Sequence, residues 1–336
     1  MRHRVTIQPS EHQFYVESNE TVLDAALRQG INLQYGCRNG VCGACKGKLL
    51  KGDIYYDEDP FALSDDDKDD NQVLFCASFV DSELVIEVDE VELDSAIEIK
   101  SLPCRVHEMN HLADDVMQVF VKLPASERLQ FLSGQYIDIL LEDGRHRSFS
   151  IANAPHNDEF LELHIRLVEQ GLFTPKVFNS MQAKDLLRIE GPHGSFFFHE
   201  DSNKDILLVA GGTGFAPIKS IIEHLINEKN TRPIYLYWGA RTQADLYMKE
   251  LAEQWASNQE NISFIPVLSN ADSDAAWSGR TGYVHDAIVK DFDDLSAFDI
   301  YACGPPAMIK AAEKSFTEKG MTKEQFFYDS FDFSAE

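Results

Sequence analysis

Four of the six cysteines in this 336-residue chain fall in one stretch: Cys37-Arg-Asn-Gly-Val-Cys42-Gly-Ala-Cys45, then 30 residues, then Cys76. Thiolates are soft ligands for iron and zinc. C-x4-C-x2-C…C is the spacing that ties a [2Fe-2S] cluster, with three ligands from one wrapped loop and the fourth from a distant position. Gly36, Gly40, Gly43 and Gly47 allow a loop tight enough for backbone N–H groups to point at sulfur. A structural zinc site usually takes two cysteine pairs rather than three plus one, and four unrelated buried thiols are the plain alternative. A second stretch suited to chemistry is Gly211-Gly212-Thr213-Gly214-Phe-Ala-Pro217, between an apolar run and a helical pattern. Bare backbone ahead of a helix N-terminus suits a pyrophosphate, although the spacing is not the G-x-G-x-x-G of dehydrogenases.

Local pattern indicates the elements that must hold these groups. Val5–Pro9 and Gln13–Val16 alternate as a hairpin, Thr21–Gln29 reads as a short helix capped by Thr21, and Leu84–Val88 reads as a closing strand. The run Asp65-Asp-Asp-Lys-Asp-Asp70 is expected to be a solvated loop with a capping role rather than a docking patch. After a polar connector at 91–98, strand patterns at Asp115–Leu123, Gln135–Leu141 and Leu161–Leu167 follow without intervening helices, which predicts a small antiparallel barrel. Ile206–Ala210 then reads as a buried strand and Ile218–Glu228 as an amphipathic helix. Ile234–Gly239, Ile262–Leu268 and Asp299–Cys303 read as further strands, a parallel-sheet pattern.

Composition excludes several classes of function. With 30 Lys and Arg against 56 Asp and Glu, the formal charge of −26 repels nucleic acid and anionic membrane surfaces. Residues 1–95 alone carry 8 basic and 20 acidic side chains, a net of −12. A hydrophobic content of 44% with 11% aromatics is that of a folded chain. The longest nearly uncharged stretch, Ile206–Ile218, has 13 residues, short of the roughly 20 that a membrane span needs. Met1-Arg2-His3-Arg4-Val5 leads into alternating residues without the apolar core of an export signal, so a cytoplasmic location is expected. In that reducing compartment cysteines serve as ligands or single thiols rather than disulfides.

Several motifs carry a family resemblance. The cysteine spacing resembles plant-type ferredoxins. Arg147-Ser148-Phe149-Ser150 matches the Arg-x-Tyr/Phe-Ser signature of ferredoxin–NADP reductase-like flavoproteins, and His164-Ile165-Arg166 is similar to their second flavin-contacting strand. Gly171-Leu-Phe-Thr174-Pro175 resembles the opening of a helix whose Thr cap and N-terminal amides meet the flavin pyrophosphate. Gly211–Pro217, with the later Cys303-Gly304-Pro305-Pro-x-Met, resembles the NAD(P)H domain of the same family, and Phe326-Phe-Tyr-Asp329-Ser-Phe331 its terminus. A ferredoxin followed by flavin and nicotinamide domains is the order found in reductases of aromatic-ring dioxygenases, phenol hydroxylase and methane monooxygenase.

The resemblance implies a multidomain α+β and α/β protein. Residues 1–95 would form a β-grasp ferredoxin domain, 103–200 an antiparallel β-barrel binding FAD, and 205–336 a parallel-sheet NAD(P)H-binding domain. It implies Cys37, Cys42, Cys45 and Cys76 as cluster ligands. Arg147 would answer the flavin pyrophosphate, with Phe149 on the isoalloxazine and Ser150 near N5; Ser148 belongs to the same strand. Gly211, Gly212, Thr213, Gly214, Pro217, Gly304 and Pro305 would hold the nicotinamide nucleotide. Cys303 would stand beside the nicotinamide, with Asp329 and Phe331 closing over the flavin.

Taken alone, Arg147–Ser150 equally fits an ordinary strand, Cys303 a small buried side chain, and the terminal aromatics a core. The implied activity is electron transfer from NADH or NADPH through FAD to the cluster, and then singly to a partner protein. Tyr136-Ile-Asp-Ile, Ser150-Ile-Ala-Asn-Ala-Pro, Arg188-Ile-Glu-Gly-Pro and Tyr237-Trp-Gly look like reductases that serve a CDP-6-deoxyhexulose 3-dehydrase. Gly239-Ala-Arg-Thr, Ala244-Asp-Leu-Tyr and Pro60-Phe-Ala-Leu look more like phenol hydroxylase reductases, so a dehydrase and an oxygenase component both stay open as partner. A free flavin or quinone reductase, and a zinc-holding scaffold, are the alternatives from other classes. Arg241 is placed to meet a 2′-phosphate, yet Asp245 or a surface salt bridge fits equally, with a slight lean to NADH.

Overall fold

The computed structural model describes residues 2–91, 97–271 and 277–331; the connector read at 91–98 lies largely outside them. The chain forms two compact units. One is Met1–Ile97 with short pieces at 194–196 and 330–332, and the other takes the rest.

The first unit contains β1 (His3–Gln8), β2 (Gln13–Val16), α1 (Val22–Arg28), β3 (Lys46–Lys51), β4 (Ile54–Tyr55), α2 (Asp65–Asp69), β5 (Gln72–Leu74), β6 (Phe79–Val80) and β7 (Leu84–Glu87). Its main sheet has the order β2-β1-β7-β3-β5, with β1 antiparallel to β2 and parallel to β7. The expected hairpin and closing strand are both present. Thr21 caps α1 by accepting the Asp24 N–H at 3.1 Å, and Val22, Leu23, Ala25 and Ala26 are buried in a core with Val5, Ile7, Phe14 and Phe75. The acidic run departs from the loop reading, since Asp65–Asp69 is a turn of helix with no buried residue. Ser64 and Asp67 form a reciprocal capping box, and acidic groups in a first turn favour the positive end of the helix dipole.

The second unit opens with β8 (Lys100–Ala113), β9 (Val116–Lys122), β10 (Tyr136–Leu140), β11 (His146–Ser150), β12 (Leu161–Arg166), α3 (Thr174–Asn179) and β13 (Leu186–His193). These strands make one antiparallel sheet, β11-β10-β13-β8-β9-β12, and an Ile151–Leu163 bridge brings its two ends together as a barrel. The anticipated helix at Thr174 is six residues long, and Thr174 does not cap it. Phe173 holds the cap position without a side-chain bond, while Thr174 Oγ1 accepts the Val168 N–H at 2.9 Å and donates to the Val168 carbonyl at 3.0 Å. The hydroxyl is spent on the preceding turn, where Gly171 N–H also meets the Val168 carbonyl at 2.9 Å.

The unit continues with β14 (Asp205–Gly211), α4 (Phe215–Asn227), β15 (Ile234–Ala240), α5 (Lys249–Asn258), β16 (Ile262–Leu268), β17 (Arg280–Thr281), α6 (Val284–Asp291), β18 (Phe298–Gly304), α7 (Pro306–Thr317) and β19 (Phe326–Ser330). The sheet order is β17-β16-β15-β14-β18-β19, with β17 through β18 parallel. Helix α4 starts three residues before the expected Ile218, directly after a one-turn 3-10 helix at Gly212–Gly214. Pro217 is tolerated there because a first-turn N–H has no intrahelical partner. Ile218, Ile221, Ile222 and Leu225 are almost completely buried, each side chain contributing about 1.5–3 kcal/mol on burial. Sequential strands run outward on both sides of β14, so the crevice at the carboxyl ends of β14 and β18 is the point where an open parallel sheet receives a ligand.

Candidate functional site

The cysteine loop spans the gap between α1 and β3. Arg38, Gly40 and Gly43 take positive φ of 57°, 78° and 80°, which folds the chain sharply around its own sulfurs. The Ala62 N–H donates to the Gly40 carbonyl at 3.0 Å and pins the loop from outside. Backbone N–H groups point at sulfur. Cys42 (3.3 Å) and Asn39 (3.5 Å) donate to Cys37 Sγ, Cys37 and Ala44 (both 3.4 Å) to Cys42 Sγ, and Cys76 (3.4 Å) to Cys45 Sγ.

The thiols form two hydrogen-bonded pairs, Cys37 with Cys42 and Cys45 with Cys76. The Cys42 thiol lowers Cys37 to about 6, the same bond together with burial raises Cys42, and Cys76 is raised by its bond to Cys45 and by burial. Among the described residues no three His, Cys, Asp or Glu side chains close around a single ion. Two pairs of sulfurs suit two irons, each taking two thiolates and sharing bridging sulfides, better than one tetrahedral zinc. Cys104 lies in the barrel core, where burial pushes its thiol up to about 12 and keeps it inert.

In the barrel, Arg147, Ser148, Phe149 and Ser150 lie on edge strand β11, facing Ile139, Asp138, Ile137 and Tyr136 of β10. Ser148 Oγ donates to Asp138 Oδ1 at 2.6 Å, Arg147 Nη1 donates to the His146 carbonyl at 2.7 Å, and Phe149 tilts against Phe173 with centroids 5.7 Å apart. Ser150, half-buried, is the last residue of this strand, just before the Ile151–Leu163 bridge to β12, and an edge strand suits a ring system with hydrogen-bonding edges. His164 differs from the role expected of it. Its ring is wholly buried, with Nε2 2.9 Å from Glu162 Oε1 and Nδ1 3.0 Å from Tyr247 Oη, so neither nitrogen is left for a ligand. Ile165 is core.

The glycine turn after β14 and the Cys303-Gly304-Pro305 turn after β18 interlock. A side chain at 214 would put its Cβ 2.1 Å from the Cys303 carbonyl oxygen, and one at 211 would meet Met308 Sδ at 2.6 Å. A side chain at 304 would meet Met308 Cε at 2.6 Å. Gly212 differs: its φ is +55°, and the only atom near a Cβ there is Arg166 Nη2, at 3.9 Å. That Nη2 is buried without a protein acceptor, while Nη1 is held by Asp115 Oδ2 at 2.7 Å and lies 3.6 Å from Asp245 Oδ1. An orphaned guanidinium donor beside bare backbone fits a phosphate oxygen of a dinucleotide. Thr213 is buried in the same turn.

Cys303 is fully buried. Burial, with the Asp329 charge nearby, raises its thiol well above the usual range, so it stays S–H at neutral pH. Asp329 is itself buried on β19, while Phe331 belongs to the first unit, where Ser330 Oγ donates to the Cys42 carbonyl at 3.4 Å. Arg241 is 76% exposed with Nε 4.0 Å from Asp245 Oδ2, a surface pair.

Sequence reasoning gave no role to Glu162 or Lys219, and Tyr247, Trp238 and Met308 entered only as letters of quoted motifs. One signal was available: Lys219 interrupts the apolar face of α4 between Ile218 and Ile221.

Comparison with known proteins gives three family matches. They are a 2Fe-2S iron-sulfur cluster binding domain at residues 5–81, an oxidoreductase FAD-binding domain at 103–198 and an oxidoreductase NAD-binding domain at 208–314. The chain is 40% identical over 327 residues to the CDP-6-deoxy-L-threo-D-glycero-4-hexulose-3-dehydrase reductase of Yersinia pestis, covering 97% of this chain and 98% of that protein. It is 35% identical to the reductase component of phenol 2-monooxygenase from Pseudomonas sp. strain CF600, covering 98% and 95%. A cytochrome P450 reductase from Amycolatopsis, of known crystal structure, superposes with a TM-score of 0.81 at 29% identity, covering 98% of each chain. The cofactors are therefore a [2Fe-2S] cluster, FAD and NADH or NADPH, and no helix among the described residues is long and apolar enough to cross a membrane. The chain belongs to the ferredoxin–NADP reductase-like iron–sulfur flavoproteins, oxidoreductases that carry electrons from NAD(P)H through FAD to a plant-type [2Fe-2S] centre.

Proposed function

We propose that this chain is the cytoplasmic reductase that feeds electrons to a CDP-6-deoxy-4-hexulose 3-dehydrase, with domains at 1–95, 103–200 and 205–336. The observation that carries the choice of partner is the 40% identity to the Yersinia pestis reductase, end to end on both chains. FAD and the cluster, when bound, would supply the redox chemistry, hydride acceptance from NAD(P)H and one-electron transfer onward.

The protein's own part is placement. Cys37 and Cys42 would ligate one iron and Cys45 and Cys76 the other, a reading supported by the two sulfur pairs. N–H donors from residues 39, 42, 44 and 76 would tune the potential. Arg147, Ser148, Phe149 and Ser150 would bind the flavin along β11. Gly211–Pro217, Gly304, Pro305 and the spare Arg166 donor would hold the nucleotide pyrophosphate. Ser150, Cys303 and Asp329 would line the hydride path, Cys303 as an uncharged S–H that lets the nicotinamide approach without a nearby thiolate.

An oxygenase component is the second candidate partner, favoured by the 35% identity to the phenol 2-monooxygenase reductase. Anaerobic reconstitution decides between them: purified protein, NADH or NADPH, and the dehydrase with its CDP-4-keto-6-deoxyhexose substrate. Dehydrase-dependent nucleotide oxidation coupled to a 3-deoxygenated sugar is expected. Rapid flavin and cluster reduction with no transfer to the dehydrase would overturn the partner assignment in favour of an oxygenase.

A further inference from the structure

Strand β12 turns one polar row, Glu162, His164 and Arg166, toward the nucleotide-binding sheet rather than toward water. Glu162 is 5% exposed and His164 also 5%. Glu162 gathers donors from both halves of the unit. Its Oε1 accepts from Gln118 Nε2 of β9 at 2.6 Å and lies 2.9 Å from His164 Nε2, and its Oε2 accepts from Lys219 Nζ of α4 at 2.8 Å. Lys219, itself buried, also donates to the Ala152 carbonyl at 3.2 Å and pairs with Glu223 at 2.8 Å; its neighbour Ser220 donates to the Asn153 carbonyl at 2.8 Å.

Burial alone would raise the Glu162 carboxyl, but His164 and Lys219 outweigh it and hold it near 2, so it accepts only. Burial keeps His164 neutral. Its Nε2 must then carry the proton that reaches Glu162, leaving Nδ1 to accept from Tyr247 O–H at 3.0 Å. Tyr247 stands edge-on to Trp238, with centroids 5.2 Å apart. Trp238 stacks on Phe215 at 3.8 Å and donates Nε1–H to the Gly212 carbonyl at 3.0 Å. An unbroken line of contacts therefore runs from the buried ion pair to the backbone of the glycine turn.

We infer that Glu162 is a positioning residue: through Lys219 on one side and His164–Tyr247–Trp238 on the other, it fixes the glycine turn and α4 against the flavin barrel at the separation hydride transfer needs. The inference rests on the assignment of Gly211–Gly214 to the nucleotide and of β11 to the flavin. It adds a buried link that holds the two in register, beside the Arg166–Asp245 contact at 3.6 Å.

The test uses the full-length holoprotein and three variants: Glu162→Gln, Lys219→Met and the double variant. Each single change leaves a buried group unmatched and lowers the melting temperature, while the double change, which leaves only the part-exposed Glu223 without its lysine, restores much of it. Positioning predicts that the rate does not follow. Flavin reduction by excess NADH in anaerobic stopped flow should be about tenfold slower in the folded double variant. FAD should remain bound, and the nucleotide dissociation constant should change less than the rate. Recovery of the rate together with the melting temperature would reduce Glu162 to a structural residue and overturn the inference.

A second readout needs no turnover. Nitrogen-15 spectra of histidine-labelled protein, assigned with His164→Gln, should show His164 protonated at Nε2 alone at neutral pH and titrating below the ordinary 6.5. Ordinary titration near pH 6.5 would refute the lock even if the nucleotide assignment stood. Failure of the wild-type flavin to be reduced by either nucleotide would instead count against the proposed function, with the tautomer result still deciding the lock.

Discussion

The cysteine loop and the seam between the flavin barrel and the nucleotide sheet hold reactive groups by different means. In the loop the reactive atoms are themselves the scaffold. Four sulfurs, two glycines at positive φ and the N–H donors to those sulfurs lie within a few residues of one another, apart from Cys76. In the seam the groups suited to a nucleotide are mostly backbone, and the side chains that fix them come from β9, β12, α4 and the loop after β15. A site made of ligands is written locally, whereas a site made of bare backbone has to be aimed from elsewhere.

The largest effect expected from that contrast is at Cys76. Cys76→Ser should remove the cluster's fourth thiolate and abolish cytochrome c reduction. The loss should exceed the roughly 10–100-fold that follows removal of a partner outside the ligand set. Ferricyanide reduction by NAD(P)H, which draws on the flavin alone, should persist, and both activities can be read in one spectrophotometric experiment. Loss of both with FAD still bound would mean the two regions are not separable.

Next come the glycines of the seam. Gly214→Ala must drive a methyl onto the Cys303 carbonyl, at 2.1 Å, so it should cost about 1–3 kcal/mol or more by overpacking. It should also slow flavin reduction by NADH. Gly212→Ala meets only the Arg166 guanidinium, 3.9 Å away, so its penalty should be limited to the positive φ, on the order of 1–2 kcal/mol. Paired thermal unfolding curves check the ranking, and equal penalties would mean the interlock is not what fixes the turn.

A smaller effect is expected from pH. His164 is held below its ordinary 6.5 by burial, so the unfolded chain binds its proton first, and the second unit should lose stability as pH falls below 6.5. Glu162, held near 2 against an ordinary 4.5, adds a further loss only as pH drops from 4.5 toward 2. Flavin release followed by fluorescence between pH 7.5 and 5 should show the first slope, and His164→Gln should flatten it. The smallest effect is expected on the solvated helix α2. Asp66→Asn should shift stability by no more than about 0.5 kcal/mol and leave cluster reduction by NAD(P)H unchanged.

Much of this molecule was legible in the order of its residues. The cysteine spacing, the Thr21 cap, the short barrel strands and the strand–turn–helix at Ile206 all depend on neighbours in sequence, and each is found close to where the pattern puts it, with the helix after Ile206 starting three residues early. Thr174 was misread because a threonine ahead of Pro175 looks like a cap, whereas its hydroxyl is already bonded to Val168. His164 was misread because alternation in Leu-Glu-Leu-His-Ile-Arg marks one polar face without saying whether water or another domain covers it.

By itself the sequence determined which atoms can bind iron, where the backbone is bare enough for a pyrophosphate, and the family to which the chain belongs. Those properties reside in residue type and short spacing. Only the tertiary structure decided that the four thiols pair as Cys37 with Cys42 and Cys45 with Cys76. It also decided that Gly214 rests against Cys303, and that a buried carboxylate on β12 is matched by a lysine 57 residues further along the chain. Such pairings depend on which surfaces meet after folding, and burial then converts ordinary polar side chains into obligatory partners.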